Sequence, residues 1–464
     1  MKKTTALILS MVLAAGTLAG CAGGGKEKAA DDGKIHITVS DFPTSSNPDA
    51  QKSAQEELDR FMEENPDIVI EGDQYAYAVD TFLPLVNSGK LPTLYRTWFT
   101  EIDKIIDSGY ASDITDLAKK YGYDTMFEDA IFDLMTDDGK IYGIPNSVYT
   151  MGLNVNRKLF EEADLLDENG VPIVPQTWDD FVKTAVTIKE KTGKAGFAIP
   201  TTQNYGGWNF MNIAWSYGGE FMEIRDNKLY ATFNNEGVIK ALELIRDMKW
   251  KYNVLPENTF LSDVNVQELF ATNNVAMNIA SKPMNSLTAT YKMSKDDIAH
   301  FASPAGPSGR YALLGGEVWF VKPDATEEEI EACLRYLKFK GIDNKFEGSA
   351  ETSLREQLSL AKEQGSVIIS KGMTYPMYKL EGERQKQIDA IYADYQKVNP
   401  DLFDATTDDM IVRAEEPYKA QELYKVIDGI LQEILVNENA DIPALVEQAE
   451  KDFQHNYFDN YELE

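Results

Sequence analysis

Apolar and polar positions alternate with a period of two over Ile35-His36-Ile37-Thr38-Val39, which predicts a strand that stops at Ser40-Asp41-Phe42-Pro43. The period then changes. Ala54, Leu58, Phe61 and Met62 recur at helical spacing, and Asn65-Pro66 closes that stripe because the residue before a proline avoids helical geometry. Ile68-Val69-Ile70 predicts a second strand, so the chain opens as strand, helix, strand, the order that favours a parallel sheet covered by helices. Further helical stripes run through Ile239, Leu242, Leu244, Ile245 and Met248, and through Leu423, Val426, Ile427, Ile430, Leu431 and Ile434. Thr177-Trp178-Asp179-Asp180 has the form of a capping box and marks a helix start, with Trp178 as a staple or core residue. No internal repeat of fixed period is visible. Lone Cys333 lies in an apolar helical pattern and reads as a buried small hydrophobe.

Composition narrows the class. The chain has 464 residues, 43% hydrophobic, 26% charged and 11% aromatic, which fits two to four globular domains with ample core. Its 45 basic and 76 acidic residues leave a net charge of −31, which repels phosphate backbones and argues against a nucleic-acid partner. With two cysteines, Cys21 and Cys333, a disulfide scaffold is excluded. The three histidines, His36, His300 and His455, fall in no ligand spacing, so no cofactor and no metal are expected.

The start of the chain sets an address. Met1-Lys2-Lys3 is positive, and Ala6 to Leu18 is apolar apart from Ser10, Gly16 and Thr17, too short a run for a membrane-spanning helix of about 20 residues. Residues 1–20 are therefore expected to be a signal peptide. Leu18-Ala19-Gly20-Cys21 resembles the lipobox of bacterial lipoproteins. That resemblance implies cleavage before Cys21, acylation of its thiol, and a protein anchored by lipid on the outer face of the cytoplasmic membrane, extracellular or periplasmic. Each buried methylene of an acyl chain contributes roughly 0.8 kcal/mol, so two or three chains hold where one is marginal. Residues 21–33, with Gly23-Gly24-Gly25 and mixed charges, are expected to be a flexible tether.

Several blocks along the body form an ordered set. They are Glu57 to Ile68, Ser88-Gly89-Lys90-Leu91-Pro92-Thr93-Leu94-Tyr95, Asp138-Gly139-Lys140-Ile141-Tyr142-Gly143-Ile144-Pro145, Leu153 to Phe160, Pro175 to Phe181, Ser216 to Phe221, Asn274-Val275-Ala276-Met277 and Gly315-Gly316-Glu317. In order and spacing the set resembles the extracellular solute-binding proteins of family 1, receptors of sugar importers driven by ATP; Thr93 departs from the Asp common there. The resemblance implies an α/β, two-lobed periplasmic-binding-protein-like fold of type II. Each lobe would be a mainly parallel sheet flanked by helices, and a hinge would join them. Residues 34–145 plus 284–332 are expected in one lobe and 146–283 plus 333–464 in the other, with the length beyond Asp343 decorating the second. It also implies a carbohydrate ligand, permease transmembrane subunits as partners, a monomer, and binding without turnover.

A sugar presents C–H faces and a belt of hydroxyls, so its site wants aromatic plates together with carboxylates, amides or peptide groups. Loops after strands are where open α/β sheets bind ligands. Asp41 and Phe42 follow the first strand, Asp41 either accepting hydroxyls or starting a turn. Trp98 follows Leu94-Tyr95, as a pocket plate or a core residue before the helix Ile102 to Ile106, and Arg96 beside it would meet an acidic sugar or be paired by a carboxylate. Tyr149, with Asn146 as a companion, falls where the resemblance places the crossing between lobes. Gln203-Asn204-Tyr205-Gly206-Gly207-Trp208-Asn209 combines glycines, two rings and amides, and reads as a loop ahead of a helix from Phe210 to Tyr217. Trp208 is the leading candidate, with Tyr205 and Asn209; Trp215 shares its helical face as a second plate or as core. The resemblance puts a turn at Gly315-Gly316-Glu317 in the cleft, with Gly316 and Glu317 at the ligand and Trp319 packed in the following strand.

Two other classes stay open at this point. The same fold could take a polyamine or a peptide, and a secreted glycoside hydrolase also uses rings and carboxylate pairs roughly 5–10 Å apart. With 76 acidic residues, chance pairs are inevitable and carry no weight. No G-x-S-x-G, H-E-x-x-H or P-loop pattern occurs.

Overall fold

The first strand forms where its alternation places it. The computed structural model describes residues 32–463 apart from 284, 347, 371–374, 380–381 and 462; the signal segment, Cys21 and most of the tether lie outside the described residues. Ile35–Val39 buries Ile37 and Val39 and pairs in parallel with Ile68–Gly72 and with Leu94–Trp98. Between the first two strands runs the helix Pro48–Glu64, which buries Leu58 and Phe61. Asn47 caps it, and Pro48 takes a first-turn position where no backbone N–H is missed.

Arg310–Val321 is the longest strand at 12 residues. It pairs antiparallel with Leu94–Trp98 and with Gly143–Thr150, and in parallel with Met410–Ala414, completing a 6-stranded sheet. A 5-stranded sheet runs Phe403–Asp404, Ile298–Phe301, Gly152–Asn156, Val275–Ala280, Ala195–Phe197. Only Met151 separates Gly143–Thr150 in one sheet from Gly152–Asn156 in the other. The chain crosses back between Ile298–Phe301 and Arg310–Val321. Because these two crossings run in opposite directions, the strands that carry them pair antiparallel in both sheets. The crossing from Phe403–Asp404 to Met410–Ala414 runs the same way as the second and pairs with it in parallel. Each sheet is therefore mixed: Arg310–Val321 is also antiparallel to Leu94–Trp98, and Gly152–Asn156 to Val275–Ala280, while the pairs beyond them, Leu94–Trp98 with Ile35–Val39 with Ile68–Gly72 and Val275–Ala280 with Ala195–Phe197, are parallel.

Helices cover both sheets. On the second, Trp178, Phe181, Phe197, Phe210, Ile245 and Leu431 are buried in one core. Thr177 caps Trp178–Thr192 by accepting from the Asp180 N–H, and the Trp178 indole donates to Ser216 Oγ at 2.8 Å. On the first, Phe61, Ile68, Leu94, Trp319 and Cys333 share a core, and burial pushes the Cys333 thiol far above its ordinary pKa.

The expected boundaries shift at three places. Ile298–Phe301 is hydrogen-bonded in the second sheet, although 284–332 was assigned to the first lobe. Glu327–Phe339 packs on the first sheet, where Arg335 pairs with Asp67 at 2.6 Å and the Tyr336 hydroxyl donates to Glu57 at 3.0 Å, so residues 333–339 do not join the second lobe. Of the length beyond Asp343, the helices up to Tyr395 and the strand Met410–Ala414 attach to the first lobe, while Ala420–Val436 and Ile442–Phe453 pack in the second core. Those first helices, Ser349–Glu363 and Glu383–Tyr395, enclose a small core of Phe346, Leu358, Ile368 and Ile391. Tyr378 of the intervening segment lies on Phe127 at 5.2 Å, and Arg384 covers the Tyr378 ring at 3.9 Å. An aromatic contact of this kind decides where an insertion docks, and sequence spacing does not reveal it.

Helices Tyr205–Ser216 and Ala420–Val436 approach closely. A Cβ on Gly207 would sit 2.3 Å from Tyr424 Cα, and one on Gly206 2.5 Å from an Asp428 oxygen. The glycines serve this helix contact rather than a ligand. Gly207→Ala gains about 1 kcal/mol of helix propensity but drives a methyl into backbone. A net loss of about 1–3 kcal/mol is expected, read as a lowered midpoint in thermal unfolding. An unchanged midpoint contradicts the steric account.

Candidate functional site

Strand register gathers the first wall of a cavity. In Arg310–Val321, Glu317 lies opposite Trp98 on one neighbour and Ser147 on the other, and Gly315 opposite Tyr149. The sequence suggested a turn at Gly315-Gly316-Glu317; the strand instead runs straight through, with an irregularity only between Glu317 and Val318. A Cβ on Gly315 would meet the Tyr149 ring at 2.4 Å, and one on Gly316 the Ser147 carbonyl oxygen at 2.3 Å. These glycines let the long strand pass beneath its neighbours.

The opposite wall is the start of Tyr205–Ser216. The helix begins at Tyr205, five residues before the expected Phe210, so Trp208 stands in its first turn rather than in a loop. Gln203 and Asn204 precede it with φ of 62° and 70°, left-handed values that cost strain in residues other than glycine. Asp428 holds them there. Its carboxylate accepts the N–H groups of Asn204 and Gly207, each at 2.8 Å, and lies at the helix N-terminus, where the dipole favours an anion. Burial raises the Asp428 pKa, and the backbone donors pull it back.

Between the walls lies a cavity of about 410 Å³, lined by Trp98, Tyr149, Tyr205, Trp208 and Tyr424 and by Thr100, Ser147, Gln203, Asn204, Gln421, Gly316, Glu317 and Glu415. Trp208 stands edge-on to Tyr149 at 5.9 Å and 82°, and to Tyr205 at 5.8 Å and 75°. Tyr77 braces Trp98 at 5.4 Å, and the Tyr77 hydroxyl is itself held by Glu101. Trp98 is 40% exposed and Tyr205 38%, unusual for rings of this size and consistent with faces left open for a guest.

Two carboxylates stand among the amides and hydroxyls of the polar lining. Glu317 Oε2 accepts from Arg96 at 2.9 Å, Asn146 at 3.0 Å and Ser147 at 3.2 Å. Arg96 also binds Asp41, through Nε and Nη2 at 3.2 Å each, so one guanidinium serves two acids and is not offered to an acidic ligand. Glu415 accepts from the Tyr424 hydroxyl at 3.0 Å. Burial pushes its carboxyl up to about 7, Glu101 adding to the effect and Tyr424 and Trp208 opposing it.

Of the residues expected at a site, the cavity brings together Trp208, Trp98, Tyr149, Tyr205, Gly316 and Glu317. Asn209 and Trp215 are not among them. Asn209 is buried beneath the helix start and donates to the Tyr205 carbonyl at 2.9 Å, whereas Trp215, two turns further in, is 1% exposed under Tyr311 and the Arg413 guanidinium. Asp41 and Phe42 line a separate cavity of about 190 Å³ with Pro43, Arg96, Trp319 and Tyr336. Asp41 takes φ 61°, and Arg96 holds its carboxylate away from the main cavity. Glu415, Gln421 and Tyr424 escaped the sequence reading. A strand at Ile411-Val412 was the available signal, since the loop after it carries Glu415.

Residues 57–347 match the model of a family described as bacterial extracellular solute-binding protein. The maltodextrin-binding protein MdxE of Bacillus subtilis is 26% identical over 350 residues, covering 72% of this chain and 76% of its own length. The GacH receptor of Streptomyces glaucescens, solved unliganded and with acarbose, superposes with a TM-score of 0.65 at 16% identity, over 91% of this chain and 99% of that one. Maltose-bound MalE3 of T. maritima gives 0.63 at 18% identity, over 91% and 99%. These likenesses show the fold, the two-lobed type II arrangement of periplasmic binding proteins.

A pH dependence follows from Glu415. Its pKa is raised from the ordinary 4.5 to about 7, so its contribution to stability is complete below 4.5 and is lost as the pH rises through 7. Glu415→Gln keeps an acceptor for Tyr424 and cannot ionise. It is expected to change little at pH 5 and to raise the unfolding free energy at pH 8 by about 1–3 kcal/mol. A variant destabilised equally at both pH values contradicts the assignment.

Proposed function

The chain belongs to the bacterial extracellular solute-binding proteins, and we propose that it captures a carbohydrate of oligosaccharide length in the cavity between its sheets and passes it unaltered to a membrane permease. The observation that carries this reading is the lining itself: exposed rings of Trp98 and Tyr205 and the half-buried ring of Trp208 beside carboxylate, amide and hydroxyl groups. Rings suit the C–H faces of sugars and the polar groups their hydroxyls. About 410 Å³ falls within the roughly 300–1,000 Å³ of small-molecule sites. The relative MdxE binds maltodextrin, which supports the same class of ligand here.

In this reading the jaws are the two sheets with their helices, and the segments that cross between them form the hinge. Trp98, Ser147 and Glu317 come from one jaw, Tyr205, Trp208 and Tyr424 from the other. A ligand that touches both is bound more tightly by the closed arrangement and shifts the population towards it. The closed surface is then presented to permease subunits of an ATP-driven importer. Cys21 carries the lipid anchor, which keeps the monomeric receptor on the outer face of the cytoplasmic membrane.

The test is thermal. A bound saccharide stabilises the protein by about 2.7 kcal/mol at 100 times its dissociation constant. Trp208→Ala is expected to abolish that gain while leaving the circular dichroism unchanged. Retention of the gain rejects this site. If no mono- or oligosaccharide in a broad panel raises the midpoint, or if the saccharides are cleaved, the receptor reading itself is wrong.

A further inference from the structure

The charged side chains that line the main cavity are both acidic, Glu317 and Glu415. Nearby cations are engaged elsewhere. Arg96 is shared between Asp41 and Glu317, one positive charge against two negative. Arg413, two residues before Glu415, turns to Glu220 at 2.7 Å and Glu416 at 3.2 Å, Lys104 to Glu101 at 3.1 Å, and Lys419 to Glu422 at 3.8 Å. Among the described residues no ion pair reaches Glu415; its partners are neutral donors, the Tyr424 hydroxyl at 3.0 Å and the Trp208 indole. A half-buried carboxylate with no cation beside it is costly, and burial raises the pKa of this one. Tyr149, Trp208 and Tyr424 line the same cavity, and aromatic rings are groups against which a cation can be held. A neutral polyol satisfies the hydrogen-bonding capacity of such a site but not its charge, and an anionic sugar is repelled.

We infer that the cavity selects a saccharide carrying a protonated amine, with Glu415 as the residue that sets this preference. The inference rests on the carbohydrate reading above and names the kind of sugar within it.

The experiment is calorimetric titration of the purified protein with matched saccharide pairs, monomer to tetramer in the glucose and galactose series. The two members of a pair differ only in an ammonium or a hydroxyl group on the ring. The ammonium member is expected to bind at least 10-fold more tightly, and the ratio to fall towards one in Glu415→Gln and at high salt. The wild-type ratio needs no variant and stands even if the substitution impairs folding. Equal or tighter binding of the hydroxyl members overturns the inference and leaves the carbohydrate reading in place. A preference that persists in Glu415→Gln overturns the role of Glu415. Failure of every member of every pair to bind overturns the carbohydrate reading, and the inference with it.

Discussion

Opposed directions of travel through the crossings constrain both the sheets and the cavity. One strand pair leaves the first sheet at Met151 and another returns into it at Arg310, so Gly143–Thr150 and Arg310–Val321 must lie antiparallel. That pairing fixes a register in which Glu317 faces Ser147 and Trp98, and Tyr149 passes over Gly315. The side chains of one cavity wall come from three strands far apart in sequence. A slip of one residue would turn each of them to the other face of the sheet. Gly315 and Gly316 make the pairing sterically feasible, which explains two glycines inside a strand where they otherwise weaken it.

The second wall depends on a buried carboxylate. Asp428 accepts two backbone N–H groups at the start of Tyr205–Ser216 and so helps to hold the left-handed backbone of Gln203 and Asn204. The strain is local to the segment that presents Tyr205 and Trp208, in keeping with the tendency of unusual backbone to collect at binding sites. Acidic residues therefore act in three ways around the cavity. Asp428 shapes the backbone, Glu317 with Asp41 confines Arg96, and Glu415 faces the open space. The −31 net charge of the chain gives no hint of this division of labour.

Much of the architecture is legible in the residue pattern because it rests on local rules. The alternation at Ile35–Val39, the proline stop after the first helix and the Thr177 cap all depend on near neighbours in sequence. Trp208, Trp98 and Tyr149 could be singled out because large rings beside glycine or at strand ends are few. What sequence hid is tertiary in origin. Asp41 follows a strand end, as a ligand residue should, yet Arg96 binds it on the far side. Trp215 shares the face of Trp208 but lies two turns deeper, where the same face is core. Glu415 and Tyr424 enter the cavity only because the chain passes into the first sheet near residue 410 and back to the second core before Ala420, passages that no short motif announces.

The account stands on two jaws that close around a saccharide. Small-angle scattering of the purified protein, titrated with the saccharide that stabilises it, measures this directly. A radius of gyration that decreases with ligand and saturates with occupancy is the predicted result. A radius unchanged at full occupancy would mean that the ligand binds without closure, and the two-jaw mechanism would have to be abandoned.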